Sequence, residues 1–255
     1  MTVDEAIQIK WQGIQQGNHA PEELQGKLSL HEAYQVQLGI LESYKACGEN
    51  QAGWKIGLTA DAIRQIYSTT EPAFGFLLES NAYASGHRFS YSDIVNPAIE
   101  SELCFTLGET LRGPGVTREQ ALNAVSSVAP SFEVVSLQVK MADDLPLGIA
   151  DNVSQWGYVT HTAVAPYPKE LALGEIAAEV KTDDSVIASL IGADVIDDQL
   201  QSLAWLANQL ADFGRALEAG QCVITGSFTK PLPIKQGEKW ETSFSSVGVV
   251  SATFA

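Results

Sequence analysis

The chain has 255 residues, 45% of them hydrophobic and 18% charged, which is typical of a globular protein long enough to bury a sizeable core. The formal net charge of −16 disfavours nucleic acid and anionic lipid as partners, because an acidic surface repels both. No apolar run approaches the ~20 residues of a membrane span, and the N-terminus lacks the pattern of a signal peptide. The few, widely spaced cysteines (Cys47, Cys104 and Cys222) favour a cytoplasmic protein over a disulfide framework or a zinc site.

The first third of the chain predicts helices followed by two strands. Apolar residues recur with the helical period over 4–17 and 29–48, and Ser29 with Glu32 forms a capping box for the second helix. The segment "AGWKIGLT" (52–59) predicts a short strand, and "ADAIRQIYS" predicts a short helix after it. The segment "EPAFGFLLES" (71–80) predicts a loop leading into a strand, and "SGHRFSYSD" (85–93) predicts a turn.

From Pro97 onward the apolar period is mainly two. The pattern predicts strands over 98–108, 131–139 and 158–164, a hairpin over 175–192 and a β-rich end over 221–255. Helices are predicted over 115–129, with Thr117 and Gln120 as a capping box, and over 197–220. Because strands and helices do not alternate regularly, a Rossmann sheet is disfavoured. We expect an α+β fold, with an N-terminal helical subdomain (1–85) and a domain with a mixed, largely antiparallel β core (86–255).

The stretch "NPAIESELCF" (96–105) places two glutamates, Glu100 and Glu102, on a strand that is otherwise apolar. Residues two apart on a strand face the same way, so their carboxylates lie roughly 6–7 Å apart and repel each other if both are buried and ionised. Three arrangements relieve this repulsion: an exposed face, a protonated carboxyl, or a cation between the two groups.

A third acid, Glu133, stands inside the apolar run "PSFEVVS". Alone it could be a surface glutamate, but with Glu100 and Glu102 it offers three carboxylates from two strands. Three oxygen ligands without neighbouring Cys or suitably spaced His suit a hard cation such as Mg²⁺ or Mn²⁺. Zinc would be expected to recruit nitrogen or sulfur ligands.

Two further segments contain polar residues among small and apolar ones. In "GIADNVSQW" (148–156), Asp151 and Asn152 form either an Asx turn between strands or a polar loop that lines a pocket. In "GWKIGLT", Lys55 either extends outward into solvent or lies partly desolvated, as an acid/base with a lowered pKa. An anionic substrate of so acidic a protein would require such a local positive charge.

These motifs occur in the order known from one protein family. The motifs are "GWKIGLT", "EPAFGFL", "NPAIESELCFTLG", "PSFEVV", "IADNVS", "LAWLANQLADFGRALEAG", "VITGSFT" and "VGVVSATF". Over residues 30–255 the chain resembles the 2-hydroxypenta-2,4-dienoate (2-keto-4-pentenoate) hydratase / 4-oxalocrotonate decarboxylase family of the fumarylacetoacetate hydrolase superfamily. The resemblance implies a curled, mixed β-sheet core with the site at its mouth, and a homo-oligomer.

The resemblance also implies the composition of the active site. It implies a divalent metal, Mg²⁺ or Mn²⁺, held by Glu100, Glu102 and Glu133. It implies catalytic roles for Lys55, Asp151 and Ser154. The substrate contacts that it implies are Phe74, Leu77, Asn152 and Thr229.

The implied reaction is the addition of water to a small 2-hydroxy-2,4-dienoate, which gives a 4-hydroxy-2-oxo acid during aromatic-compound catabolism. The metal would act as a Lewis acid on the substrate's carboxylate and 2-oxygen. Two alternatives stay open: a 4-oxalocrotonate-type decarboxylase on the same scaffold, and a non-catalytic partner of an active homologue. Ala73 stands where many hydratases of the family have an aspartate, and in this respect the chain resembles the decarboxylases.

Overall fold

The structure is a computed structural model that describes residues 1–161 and 166–255. The helices are α1 (Val3–Gln15), α2 (Leu30–Ala46), α3 (Asp61–Ile66), α4 (Arg118–Ala124), α5 (Leu145–Ala150), α6 (Gly192–Val195) and α7 (Gln199–Ala211). The strands are β1 (Gln51–Gly57), β2 (Ala73–Leu78), β3 (Ala82–Ala84), β4 (His87–Phe89), β5 (Pro97–Leu107), β6 (Val125–Ser136), β7 (Gln155–Thr160), β8 (Ala177–Thr182), β9 (Ser185–Ile191), β10 (Cys222–Thr225), β11 (Leu232–Pro233), β12 (Lys239–Phe244) and β13 (Gly248–Phe254).

Two long helices begin the chain, and each starts with a capping box. The predicted box of Ser29 and Glu32 opens α2, and a second box of Thr2 and Glu5 opens α1. In each box the hydroxyl accepts a backbone N–H while the glutamate accepts the N–H of the cap residue, so two otherwise unpaired donors are satisfied. The two helices pack against each other, and α2 also contacts α5. This helical layer covers one face of the large sheet.

The large sheet has eight strands in the order β2-β1-β10-β5-β6-β7-β3, with β11 also paired to β5. Strand β1 pairs in parallel with β10, and β3 pairs in parallel with β7, whereas the other pairs are antiparallel. The end strand β2 also contacts β7 from the other half of the sheet, so the sheet curls into a half-barrel. The predicted mixed, curled, largely antiparallel core is confirmed. Strands from both sides of the predicted boundary at residue 85 share this sheet, and the division into two domains stays a prediction.

A second sheet has the order β4-β13-β12-β8-β9 and contains the predicted hairpin, β8 and β9. The hydroxyls of Ser101 in β5 and Thr242 in β12 lie 2.9 Å apart and join the two sheets across a buried contact. Helix α7 buries Leu203, Leu206 and Leu210 in the core, as its periodicity predicts.

Some element boundaries differ from those predicted. Helix α7 ends at Ala211 because Gly214 adopts a left-handed φ of 66°, so the segment around Leu217 is not helical. The predicted helix over 115–129 ends at Ala124, where the chain enters β6. The predicted turn over 85–93 contains β4. The strand predicted over 158–164 runs only to Thr160, and residues 162–164 lie outside the described part. Within residues 1–161 and 166–255, every helix is too short or too polar to cross a bilayer.

Candidate active site

The three glutamates predicted as metal ligands lie side by side on the inner face of the half-barrel. Glu100 of β5 stands directly opposite Glu133 of β6, and Glu102 follows two residues after Glu100. Opposed residues of an antiparallel pair, and residues two apart, share one face of a sheet. Glu102 and Glu133 are only 2% and 1% exposed, so the explanation by a solvent-exposed strand face does not hold.

Lys55 of β1 reaches the same cluster. Its Nζ lies 2.9 Å from Glu133 Oε1 and 3.2 Å from Glu133 Oε2, and both side chains are buried. In β2 the residue opposite Lys55 is Gly75, whose missing side chain leaves room for the lysine. A Cβ on Gly75 would lie only 3.3 Å from Lys55 Cγ. The sequence therefore places a buried ammonium among three carboxylates.

Burial dominates the electrostatics of this cluster. Burial, and then repulsion from Glu133, raises the pKa of Glu100 to about 8, although Lys55 and Ser227 oppose the shift. Burial likewise raises the pKa of Glu102 well above its usual value, and repulsion from Glu133 and Glu100 adds to the shift. Burial also raises the pKa of Glu133, against the attraction of Lys55. The Glu100 carboxyl therefore holds a proton over much of the neutral pH range.

The pKa of Lys55 moves in the direction opposite to that expected from the sequence. Burial alone would lower it, but the attraction of Glu133 and then of Glu100 raises it above the usual lysine value. The expectation of a lowered pKa is therefore wrong, because the sequence does not reveal that Glu133 is a direct neighbour.

Two buried carboxylate oxygens of the cluster have no hydrogen-bond partner among the described residues, and the first of them, Glu133 Oε1, has only the Lys55 ammonium 2.9 Å away as an ion-pair contact. Glu102 Oε2 is buried, and no donor among the described residues reaches it. An unpaired buried carboxylate oxygen is costly, so the cluster fits an additional cation. Across residues 1–161 and 166–255, no three His, Cys, Asp or Glu side chains converge on one point in the way that metal ligands do. In the present arrangement, the Lys55 ammonium occupies the space beside Glu133.

A closed apolar floor lies on the same face as the glutamates. The side chains of Leu77, Cys104, Tyr158 and Ile224 form a buried cluster that is separate from the main core. The Cys222 thiol lies 3.5 Å from the Tyr158 hydroxyl at the edge of this cluster. Leu77, predicted as a substrate contact, is fully buried in this floor. In β5, Cys104 of this floor lies two residues beyond Glu102, so the floor is directly next to the glutamates.

The predicted loop residues Asn152 and Ser154 lie in a left-handed turn. Asn152, Val153 and Ser154 have φ values of 55°, 53° and 61°, a conformation that is unusual for non-glycine residues and strained for a β-branched one. Asn152 Oδ1 accepts the N–H of Phe76 at 2.8 Å, and Asn152 Nδ2 donates to the Phe76 carbonyl at 3.0 Å. The buried Ser154 hydroxyl contacts the sulfur of Met141.

Asp151 is engaged outside the glutamate cluster. Its Oδ1 lies 2.5 Å from Lys10 Nζ and 2.8 Å from His19 Nδ1, both from the N-terminal segment. Lys10 is completely buried although it lies on an amphipathic helix. Sequence reasoning missed Lys10 and His19, because a lone lysine on a helix is usually solvated and no local spacing links it to residue 151.

Phe74, predicted as a substrate contact, lies on the opposite face of the sheet. It pairs with Ile56 in register and packs against Tyr34, with ring centroids 4.2 Å apart, under helices α2 and α7. It is fully buried in the main core, so we do not retain it in the site. Thr229, the remaining predicted contact, accepts the Ser101 N–H through its hydroxyl at 3.3 Å.

The position of Phe74 yields a stability prediction. Phe74→Leu should lower the free energy of unfolding by about 1–2 kcal/mol, because it shrinks a closely packed aromatic cluster. KM should stay unchanged, since the ring does not face the glutamates. Urea unfolding and steady-state kinetics on the same preparation check both parts. A raised KM with an unchanged free energy of unfolding would show instead that Phe74 contacts the substrate.

A cavity of about 460 Å³ lies elsewhere on the molecule, between the start of α7 and the segment that precedes β8. Arg118, Lys169, Asp197 and Asp198 are among its lining residues, and none of the three glutamates lines it. Arg118 is ion-paired with Asp198, so the charges in this cavity largely balance each other. The buried glutamates are therefore the stronger candidate for chemistry.

Comparison with solved structures identifies the class of fold. The structure of 4-oxalocrotonate decarboxylase from Pseudomonas putida G7, complexed with magnesium and adipate, superposes with a TM-score of 0.86 at 28% identity, covering 99% of this chain and 96% of that one. Fumarylacetoacetate hydrolase from Exiguobacterium antarcticum superposes with a TM-score of 0.60 at 16% identity, over 81% of this chain and 75% of that one. The fold is that of the fumarylacetoacetate hydrolase superfamily, as the sequence predicts.

Sequence comparison identifies the family within that class. The chain is 32% identical to 2-hydroxyhexa-2,4-dienoate hydratase from Comamonas testosteroni, over 89% of this chain and 87% of that protein. No model of a protein family matches the chain. The chain belongs to the 2-hydroxypenta-2,4-dienoate hydratase / 4-oxalocrotonate decarboxylase family, a family of enzymes. The predicted membership is confirmed.

Proposed function

We propose that this protein is a divalent-metal-dependent hydratase. It adds water to a 2-hydroxy-2,4-dienoate and yields a 4-hydroxy-2-oxo acid in the catabolism of aromatic compounds. The observation that carries the proposal is the cluster of buried Lys55, Glu102 and Glu133 with the partly exposed Glu100 on one sheet face. The similarity to a hydratase of a 2-hydroxydienoate supports this reaction class.

Charge balance supports a metal at the cluster. Three ionised carboxylates against one ammonium would leave two uncompensated negative charges in a largely buried site, and one divalent cation would neutralise them. The unpaired Glu102 Oε2 supplies a free ligand atom, and the all-oxygen donor set suits Mg²⁺ or Mn²⁺. We propose Glu100, Glu102 and Glu133 as the residues that hold it. When bound, the metal supplies Lewis-acid polarisation of a 2-oxo acid.

The residues around the cluster have separate roles in this proposal. Lys55, the only ammonium in contact with the glutamates within the described residues, moves a proton to or from the substrate. For the metal to bind, the Lys55 ammonium must withdraw from Glu133. The apolar floor that contains Leu77 excludes water from one end of the site. Asn152 and Thr229 hold the backbone of neighbouring strands in place.

A decarboxylase of a 4-oxalocrotonate-like diacid is the second candidate, and Ala73 favours it. Ala73 lies opposite Gly57 on the face that carries Lys55, and a Cβ on Gly57 would lie 3.4 Å from Lys55 Nζ. An aspartate at residue 73 would bring a carboxylate close to this ammonium, and this chain lacks one. The similarity to a decarboxylase structure points the same way.

Assays of the purified protein with Mg²⁺ and each substrate separate the candidates. We expect 2-hydroxypenta-2,4-dienoate to lose its diene absorbance and to yield 4-hydroxy-2-oxopentanoate, without release of CO₂. Release of CO₂ from 4-oxalocrotonate, with no hydration of the monoacid, would establish the decarboxylase instead. Absence of turnover with either compound would favour a non-catalytic member. A homo-oligomer and a cytoplasmic location stay predictions from the sequence.

The raised pKa values predict that metal binding depends on pH. Because burial and Glu133 raise the pKa of Glu100 to about 8, this carboxyl is largely protonated at pH 7 and must lose its proton to bind a cation. The Kd for Mg²⁺ should therefore fall by about tenfold per pH unit between pH 6 and 8, and binding should release protons. Calorimetry in buffers of different ionisation enthalpy measures both quantities. A Kd that does not change over this range would contradict the ligand assignment.

A further inference from the structure

The buried ion cluster of Lys10, Asp151 and His19 is not explained by the proposed reaction. The Lys10 ammonium is fully buried, lies 2.5 Å from Asp151 Oδ1, and donates to the His19 carbonyl. The His19 ring lies 2.8 Å from the same carboxylate oxygen. A buried ion pair contributes little to stability relative to apolar packing. We therefore ask which part of the structure this cluster positions.

The cluster lies beside the contact between strand β2 and the turn formed by residues 152–154, which we call the seam of the half-barrel. Strand β2 is an end strand of the large sheet, and among the described residues no strand forms a ladder with its outer edge. The side-chain amide of Asn152 makes the two hydrogen bonds to Phe76 that a neighbouring strand would make. Lys10 and His19 bind Asp151, which is the residue directly before Asn152. The seam therefore joins β2 to the turn that leads into β7.

The seam also contacts the candidate catalytic lysine. Asn152 packs closely against Gly75: a Cβ added to Gly75 would be 2.7 Å from Asn152 Oδ1. Gly75 is also the residue that pairs with Lys55 between β2 and β1. At Gly57, a Cβ would lie 3.6 Å from Val153 Cγ1 and 3.4 Å from Lys55 Nζ. The turn and the lysine thus meet at β1 and β2, and a shift of the turn would reach Lys55.

The turn needs external support to keep this shape. Three consecutive non-glycine residues with positive φ are a strained arrangement that persists only where the surroundings impose it. Behind the turn lies a cavity of about 60 Å³, lined by His19, Asp151, Asn152 and Gln155 among others. On the side of this cavity, the turn is tied to the N-terminal segment by the ionic contacts of Asp151 with Lys10 and His19.

We propose that Lys10 and His19 are positioning residues for Lys55. Through Asp151 they fix the left-handed turn, and the turn fixes β2 and the lysine beside the glutamates. The N-terminal helix is thereby part of the active-site architecture. This inference rests on the proposed function for its kinetic consequence, but the seam itself can be tested without any turnover.

The test compares Lys10→Met with the wild-type protein. The variant removes the charge while it keeps most of the volume, and Asp151 then keeps His19 as its one ionic partner among the described residues. We expect kcat to fall by about 10–100-fold, as for a displacement of a catalytic group by about 1 Å, while KM and the Kd for Mg²⁺ change less than threefold. We also expect hydrogen exchange at the Phe76 amide to accelerate at least tenfold, with amides of β5 and β6 unaffected.

Two further variants keep the test decisive. Lys45→Met makes the same substitution at a partly exposed helix position and should leave all four quantities within twofold of wild type. The double variant Lys10→Met/Asp151→Asn removes both buried charges. It replaces the single variant in the test if Lys10→Met does not fold, and it should show the same changes in kcat and in hydrogen exchange. Loss of folding in both Lys10 variants would make the cluster a determinant of stability alone and would overturn the proposal.

The remaining outcomes are also distinguishable. A folded Lys10→Met protein with kcat and Phe76 exchange within twofold of wild type would refute the positioning role. Faster exchange spread evenly over the large sheet would refute it too, because general destabilisation would then explain the loss of activity. If the wild-type protein turns over no dienoate, the proposed hydratase function fails. The exchange rate at Phe76 still decides the role of the seam in that case.

Discussion

Replacing Lys55 by methionine should lower kcat by about 10²–10⁴-fold, the range expected when a general acid/base is removed. The lysine is buried, and its ammonium is within hydrogen-bonding distance of Glu133. Methionine keeps the apolar part of the side chain, so the fold should be preserved. Loss of the ammonium also removes a competitor for the carboxylates, and the Kd for Mg²⁺ should stay the same or fall. Steady-state kinetics and calorimetry on one preparation measure both effects.

Lys140→Met is a suitable control, because Lys140 is exposed and lies outside the cluster. It should change neither kcat nor the Kd for Mg²⁺. If Lys55→Met turns over substrate at a near-normal rate, Lys55 is a counter-charge for the glutamates and not the acid/base. If the variant loses its affinity for Mg²⁺ together with its activity, the lysine instead supports the metal site.

Glu102→Gln should weaken Mg²⁺ binding by about a hundredfold or more and abolish turnover. Mutation of groups that only orient metal ligands typically lowers metal affinity by about 10–100-fold, so the loss of a ligand should lower it at least as much. The buried carboxylate is repelled by Glu133 and Glu100 and has an unpaired oxygen, so its neutral isostere should also stabilise the metal-free protein. Calorimetric titration and thermal unfolding without metal measure the two effects.

The combination of these two effects excludes unfolding as the cause of lost binding. Glu109→Gln, an exposed position just beyond β5, is the matched control and should bind Mg²⁺ normally. Unchanged Mg²⁺ affinity in Glu102→Gln would remove Glu102 from the ligand set. The remaining pair, Glu100 and Glu133, would then need a third ligand from elsewhere.

Much of the candidate site could be predicted from local patterns in the sequence. The alternation of "NPAIESELCF" places Glu100 and Glu102 on one face, because strand geometry alone decides it. The capping boxes at Ser29 and Thr117 were predictable for the same reason, since each depends on residues three apart. The pairing of Glu133 with Glu100 depends on the register between β5 and β6, which no local pattern sets. The sequence offered the three acids as a set by residue type, and only the family resemblance implied that they hold one metal.

The features that sequence reasoning missed depend on contacts between distant segments. Asp151 meets Lys10 and His19 across more than 130 positions of the chain, so neither its neighbours nor its spacing indicates an ion cluster. The orientation of Phe74 follows from its pairing with Ile56, which turns its ring towards the helices. The direction of the Lys55 pKa shift follows from Glu133 in the same way.

The most direct test of the central claim is an anomalous difference map from crystals loaded with Mn²⁺ in the presence of pyruvate. A hard cation at an all-oxygen site should give a peak about 2.0–2.2 Å from a carboxylate oxygen of each of Glu100, Glu102 and Glu133. The Lys55 ammonium should have moved away from Glu133 in that structure. An active, Mn²⁺-saturated protein with no peak among these three carboxylates would contradict the assignment.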